Sequence, residues 1–255
     1  TLFRSIGFSY ENGRFVNIDV LRYQRVVNTL YRRGILSDLS SPEPQQRNSI
    51  LEIGGGYGGL AHHLSNILGN VVYVIVDLPE TLLFSAAYLS LHNPDKKVYV
   101  YNKDDFSEFI DAGGAGSYDF ILMPNYMLES LTLWRFKIAI NMISFQEMNA
   151  QQVNEYLDFI RDNSVGQLYS WNIDSHVLDT DLPTMASLLE GRFEYEEMGE
   201  PEKPESRRRR LIDGLKSIAS TLGITNPPPR GISLRHYIYR GHEYLCRPIQ
   251  TRNPD

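Results

Sequence analysis

The chain has a single cysteine, Cys246, so it can close no internal disulfide. A reducing setting such as the cytoplasm is therefore expected. It has no Cys/His cluster at zinc spacing, which leaves no zinc site to expect. No apolar run approaches the roughly 20 residues of a membrane helix, and no basic-then-apolar leader opens the sequence, so neither a span nor a secretory signal is expected. Positive charge is short as well. Lys and Arg number 25 against 31 Asp and Glu, a net charge of −6. A nucleic-acid partner is not expected, because phosphate binding leaves a basic footprint.

What is present is an alternation. Residues 17–33 read as a helix, with Val20, Tyr23, Val27 and Leu30 on one stripe and Gly34 at its stop. A polar, Pro-broken linker follows at 40–48. Short apolar runs then alternate with helical patterns: 49–54, 71–77, 97–102, 118–124, 137–145 and 166–173. Continuously apolar strands joined by helices indicate a parallel sheet covered on both faces. Pro79 suits the first turn of a helix that stops near Asn93-Pro94, and another helix begins after Asn149 with Val153, Leu157 and Ile160 on one face. Beyond 175 the alternation fails. Residues 206–222 read as an amphipathic helix carrying "RRRR" (207–210), and either 193–198 or 235–248 supplies the last strand. The arginines have acidic neighbours in Glu200, Glu202 and Glu205, or else an anionic acceptor to hold.

The most informative stretch is "LEIGGGYGGL", residues 51–60. A strand, a Gly-rich turn and a helix aim backbone N–H groups at a ligand, and glycine lets that ligand come where a Cβ would collide. Gly54, Gly56 and Gly59 fit G-x-G-x-x-G, while Glu52, Gly54, Gly56 and Gly58 fit E-x-G-x-G-x-G. Asp77 closes the next strand, where a carboxylate can accept from both hydroxyls of a ribose. NAD and S-adenosylmethionine both carry that ribose. Glu52 favours the second, whose ammonium and sulfonium are cationic, since a pyrophosphate beside Glu52 would be repelled.

With these motifs, residues 49–173 resemble a class I S-adenosylmethionine-dependent methyltransferase. "DLPE" (77–80), "NMISFQEM" (141–148) and "DVLRY" (19–23) resemble the bacterial sugar O-methyltransferases. The resemblance implies a Rossmann-like α/β fold: a seven-stranded, mostly parallel sheet with helices on both faces. It implies a helical cap over 1–48, a methyltransferase domain over 49–255, and an insertion at 175–233 near the acceptor. It implies cofactor contacts from Glu52, Gly54, Gly55, Gly56, Tyr57, Gly58, Asp77 and Leu78. The adenine would be met by Asp104, Asp105 and Phe106, one of the aspartates alternatively capping the next helix. Asn125, ending the fourth strand, would face the methyl group.

Transfer of a methyl to a sugar hydroxyl needs alignment and a general base, because the hydroxyl is a very weak acid. Ligands of open α/β sheets lie at the carboxyl ends of the strands. That rule selects Asn125, Tyr126 and Glu129, then Glu147, then Asn172, Asp174 and His176. Glu147 is the first base candidate and His176 the second; Glu129 could orient the acceptor. Each has an ordinary alternative: Glu147 and Glu129 as helix acids, His176 as solvated surface. No metal is expected. The expected reaction is methyl transfer from S-adenosylmethionine, leaving S-adenosylhomocysteine, to a hydroxyl of a sugar or glycosylated small molecule. The alternatives are a phenol or carboxylate acceptor, an NAD-dependent oxidoreductase, and a cofactor-binding domain without activity.

Overall fold

The computed structural model describes residues 7–10, 14–40, 47–111, 113, 116–163, 165–173, 183–198 and 241–249. The chain divides into two compact units, Thr1–Arg22 with Met198–Arg240, and Tyr23–Glu197 with Gly241–Asp255. In the first, β1 (Gly7–Tyr10) and β2 (Arg14–Asn17) form an antiparallel ribbon with Gly7 opposite Asn17. Helix α1 (Ile18–Arg32) starts there, and Arg22 meets Asp19 at 2.9 Å within its first turns. Within the stretch expected as a helical cap, the described residues thus include a strand ribbon as well as helices.

In the larger unit, residues 23–32 of α1 and helix α2 (Ile35–Leu39) precede the sheet strands β3 (Asn48–Ile53) and β4 (Val71–Asp77). Helix α3 (Gly59–Leu68) joins these two, and α4 (Pro79–His92) leads to β5 (Val98–Val100). Helix α5 (Phe106–Asp111), β6 (Phe120–Pro124), β7 (Phe136–Met142), α6 (Ala150–Asp162) and β8 (Leu168–Asn172) follow. Helix α7 (Met185–Leu189), β9 (Phe193–Glu197) and β10 (His242–Pro248) complete it. The strands lie in the order β5-β6-β4-β3-β7-β8-β10-β9. All pairings from β5 to β8 are parallel, and β10 runs antiparallel to both neighbours.

This is a Rossmann-like, mostly parallel sheet with helices on both faces, but it has eight strands where seven were expected. The two candidate last strands, read from sequence as alternatives, both belong: β10 slots between β8 and β9. Lateral order also differs from chain order. β6 follows β5 in sequence yet lies inside it, next to β4.

Strand alternation sends side chains to two cores. On one face Ile50, Tyr73, Ile75, Ile138, Ile140, Tyr169 and Trp171 pack against α1 to α4. On the other, Leu51, Ile53, Val74, Val76, Ala139 and Leu168 pack against α5 to α7. The α1 stripe that buries is Tyr23, Val26 and Leu30, while Val20 stays 38% exposed. Asn149 caps α6 by accepting from the Gln152 N–H, and Gln152 returns the bond, so the expected start at this asparagine is a full capping box.

A buried charge ties α1 to the sheet. Glu243 on β10 accepts from Arg25 Nε at 3.0 Å and from the Tyr169 hydroxyl at 2.9 Å. The Arg25 guanidinium also lies 4.7 Å over the Trp171 ring. Removing one member strands the other charge in the interior. Glu243→Ala is expected to cost roughly 3–5 kcal/mol in urea unfolding. The paired replacement Arg25→Met with Glu243→Leu should cost less than Glu243→Ala alone. A larger loss in the double variant would show that the ion pair itself stabilises the fold.

Candidate functional site at the carboxyl ends of β3, β4 and β7

The chain lays β4 on one side of β3 and later returns to lay β7 on the other. Turns leaving such neighbours diverge, which opens a crevice at the carboxyl end of the sheet. The turn after β3 is the glycine stretch. Gly54, Gly56 and Gly58 all have positive φ, which only glycine adopts without cost. Their surroundings differ. A Cβ on Gly54 would collide with the Ser144 side chain, whereas a Cβ on Gly56 would meet nothing within 4 Å. Gly56 thus borders open space.

Two bonds set the turn against β4. The Gly56 N–H donates to Asp77 Oδ2 at 2.8 Å, and the Leu78 N–H donates to Asp77 Oδ1 at 2.7 Å. The carboxylate is held in place and each oxygen keeps acceptor capacity. Burial still raises its pKa, the two N–H groups pull it down, and the charge of Glu147 pushes it up. Leu78 is 54% exposed beside it.

Glu52 lies beneath the turn, 2% exposed. A Cβ on Gly55 would collide with Ile75 Cγ2 at 2.8 Å and would come within 3.2 Å of Glu52 Oε2, so the turn passes close over the carboxyl. Its pKa rises to about 8, mainly through burial. The hydroxyl of Tyr73 draws it down and Asp77 adds repulsion. Glu52 Oε2 and the Tyr73 hydroxyl complete no hydrogen bond. Two buried polar groups without partners are costly to a fold that uses them for nothing else.

The segment 141–148 clamps the same turn from the β7 side. Asn141, fully buried, donates to the Ile53 carbonyl at 3.0 Å, and Ser144 Oγ donates to it at 2.9 Å. Asn172 Nδ2 donates to Asn141 Oδ1 at 2.7 Å and extends the network to Ser170. Ile143 holds φ at 57°, strained for a β-branched side chain, and its N–H donates to the Trp171 carbonyl. Gln146 accepts from the Ile173 N–H at 2.8 Å. Glu147 ends this segment exposed, on the side of Asp77. Tyr156 on α6 also feels Asp77; burial first, then that charge, pushes its hydroxyl up to about 12.

The remaining sequence candidates are placed as follows. Tyr57 is half-buried with its ring 4.9 Å from Tyr88. Asn125 follows Pro124, which pairs with Asp77, so it flanks β4. Asn125 thus lies at the end of the fourth parallel strand in chain order, while residues 143–147, after β7, flank the other side of β3. Glu129 is exposed in the 3-10 turn Asn125–Leu131. Asp104, Asp105 and Phe106 follow the edge strand β5, with β6 between them and β4. Asp105 accepts from the Tyr99 hydroxyl at 2.8 Å, and the Phe106 ring lies 5.2 Å from Tyr101. His176, Asp174 and the arginine run lie outside the described residues. Asn141, Ser144, Tyr73 and Tyr156 were not singled out from sequence. The signal for the first was a polar residue breaking an apolar strand.

Within five residues of the carboxyl ends of β3 to β8 the described residues include Asp77, Glu80, Asp104, Asp105, Glu129 and Glu147, against the base Lys103. Such a mouth attracts cations and repels phosphates. Among the described residues no group of three or more His, Cys, Asp or Glu could hold a metal ion.

Glu52 gives the fold a pH dependence. Its pKa is higher folded than unfolded, so stability is greatest below about pH 4.5 and is lost as pH rises toward about 8. Glu52→Gln should therefore raise Tm more at pH 8 than at pH 5, by a difference on the order of 2–5 kcal/mol in unfolding free energy. An equal gain at both pH values would mean that the carboxyl is not desolvated.

No family model and no curated protein sequence matches this chain. Solved structures similar to it include the CurJ carbon methyltransferase, 12% identical with a TM-score of 0.49, covering 89% of this chain and 55% of that one. Another is an O-methyltransferase family protein from Burkholderia thailandensis, 11% identical with a TM-score of 0.46, covering 90% and 60%. A third is the methyltransferase domain of bacterial CtHen1, 9% identical with a TM-score of 0.48, covering 91% and 100%. The chain thus spans little more than half the length of the first two. At scores this low the functional reading stands on the chain's own residues.

Proposed function

We propose that the crevice binds S-adenosylmethionine and that the chain transfers its methyl group to a hydroxyl oxygen, the acceptor being a sugar or a glycosylated small molecule. The observation that carries this is Glu52. A carboxyl buried without a cation beneath an open glycine turn is suited to a ligand that brings a positive charge. The acidic mouth supports the same choice over NAD, whose pyrophosphate it would repel. Open space at Gly56, the orphaned Glu52 Oε2 and the pre-held Asp77 together fit the cofactor.

Glu52 would face the cationic end, Gly54 to Gly58 would admit it closely, and Asp77 would accept from the ribose hydroxyls. Leu78 and Asn125, flanking Asp77, would border the base. The bound cofactor would supply an electrophilic methyl group. Glu147, on the rim after β7, would take the proton of the acceptor hydroxyl as that oxygen becomes a nucleophile. The acids around it favour a neutral or cationic acceptor over a phosphorylated one. "NMISFQEM", in which Glu147 stands, is the stretch whose resemblance supports a sugar.

Calorimetry should find S-adenosylmethionine bound at least about 100-fold more tightly than NAD. Gly56→Ala should keep the fold, its left-handed residue costing roughly 1–2 kcal/mol, while losing that binding. Gly56→Ala binding as the wild type does would remove the cofactor from this turn. Glu147→Gln should leave donor binding intact and lower kcat by about 10²–10⁴-fold toward an alkyl hydroxyl. An unchanged kcat would leave another group as the base.

A further inference from the structure

Glu52 and Tyr73 form a pair that the cofactor reading does not exhaust. Register sets it: on β3 and β4, Ile50 lies opposite Tyr73 and Glu52 opposite Ile75, so the Tyr73 side chain shares a face with the carboxyl one step along. Tyr73 is fully buried, and its hydroxyl completes no hydrogen bond. Around the pair, β7 contributes only Ile140 at the level of Glu52. The end of β4 contributes Asp77, an acid, and α1 contributes Tyr23, whose hydroxyl sits near Tyr73. On α3 the next titratable group is His63, its ring centroid 5.5 Å from that of Tyr23 and its own pKa lowered by burial and by His62. None of these groups is a fixed cation. A carboxylate in this position would have neither a counter-charge nor a full set of donors.

We propose that Glu52 keeps its proton while the crevice holds no cation and releases it to solvent when a cationic ligand binds, with Tyr73 as the positioning residue whose hydroxyl then donates to the new carboxylate. The proposal rests on the cofactor reading above. The step balances: a neutral carboxyl and a cation become a carboxylate–cation pair, and one proton passes to the buffer. Affinity for the donor is thereby linked to pH through a group that solvent barely reaches. Tyr73 sets where that linkage falls. As a donor its hydroxyl favours the ionised form, so its removal should hold the proton more tightly.

Two measurements test this. The first is calorimetric binding of S-adenosylmethionine at pH 7 in two buffers of different ionisation enthalpy. The expected result is release of close to one proton per ligand by the wild type and of none by Glu52→Gln. The second is an infrared titration of the ligand-free protein, read as wild type minus Glu52→Gln. The protonated-carboxyl band should vanish near pH 8 in the wild type and at higher pH in Tyr73→Phe. Tyr73→Phe removes an oxygen without a hydrogen-bond partner, so it should fold, and circular dichroism checks that it does.

Binding without proton release overturns the proposal while leaving the cofactor reading standing. Equal release by Glu52→Gln assigns the proton elsewhere and overturns it too. A structural role alone for Tyr73 would shift Tm and leave the infrared midpoint in place, which removes Tyr73 from the pair. Absence of any binding overturns the cofactor reading itself. The infrared titration would still report whether Glu52 is protonated.

Discussion

The last carbonyl of β3 is the point on which the site depends. A strand's final C=O loses its ladder partner where its neighbours turn away, and a buried carbonyl without a donor is expensive. Here Ile53 lies between Val76 and Asn141 in register, and its carbonyl receives both Asn141 and Ser144. That double donation fixes where the glycine turn begins. It also explains why Gly54 has no side chain, since Ser144 occupies the space, and why Ile143 accepts a strained backbone to bring Ser144 there.

The two faces of the sheet then serve different ends of one crevice. The face toward α1, α3 and α4 carries Glu52 and Tyr73, a desolvated acid with a phenol behind it. The face toward α6 carries Asn141, Ser170 and Asn172, a hydrogen-bonded amide and hydroxyl network. A desolvated acid thus lies on one side, and backbone position is held on the other. The charge of Asp77 is felt by Glu52 and by Tyr156, and Asp77 itself feels Glu147. Substitutions on the amide side should act through geometry, and those on the acid side through electrostatics.

The charge of the mouth follows from the same arrangement. Parallel strands all present their carboxyl ends at one edge, so whatever the six turns carry is summed there. Each acid is unremarkable in its own segment. Gathered within a few residues of one edge, where Lys103 is the described base, they make that edge negative.

Much of the fold could be read in order along the chain. Apolar runs, Pro79 at a helix start and Asn149 at another are local signals, because strand burial and capping depend on neighbours a few residues away. The glycine turn, Glu52 before it and Asp77 after the next strand were legible for the same reason. Lateral order was not. Nothing local says that β6 lies inside β5, that β10 enters between β8 and β9, or that the segment after β7 flanks the glycine strand. Those facts come from pairings between residues far apart in sequence. Tyr73 makes the point most sharply: in sequence it is one aromatic in an apolar strand, and only the register of β3 on β4 sets it behind Glu52. The sequence determined which elements form and which residues could carry charge to a ligand. The tertiary structure decided which of them meet, because burial and the lack of a counter-charge are properties of neighbours that the chain brings together only on folding.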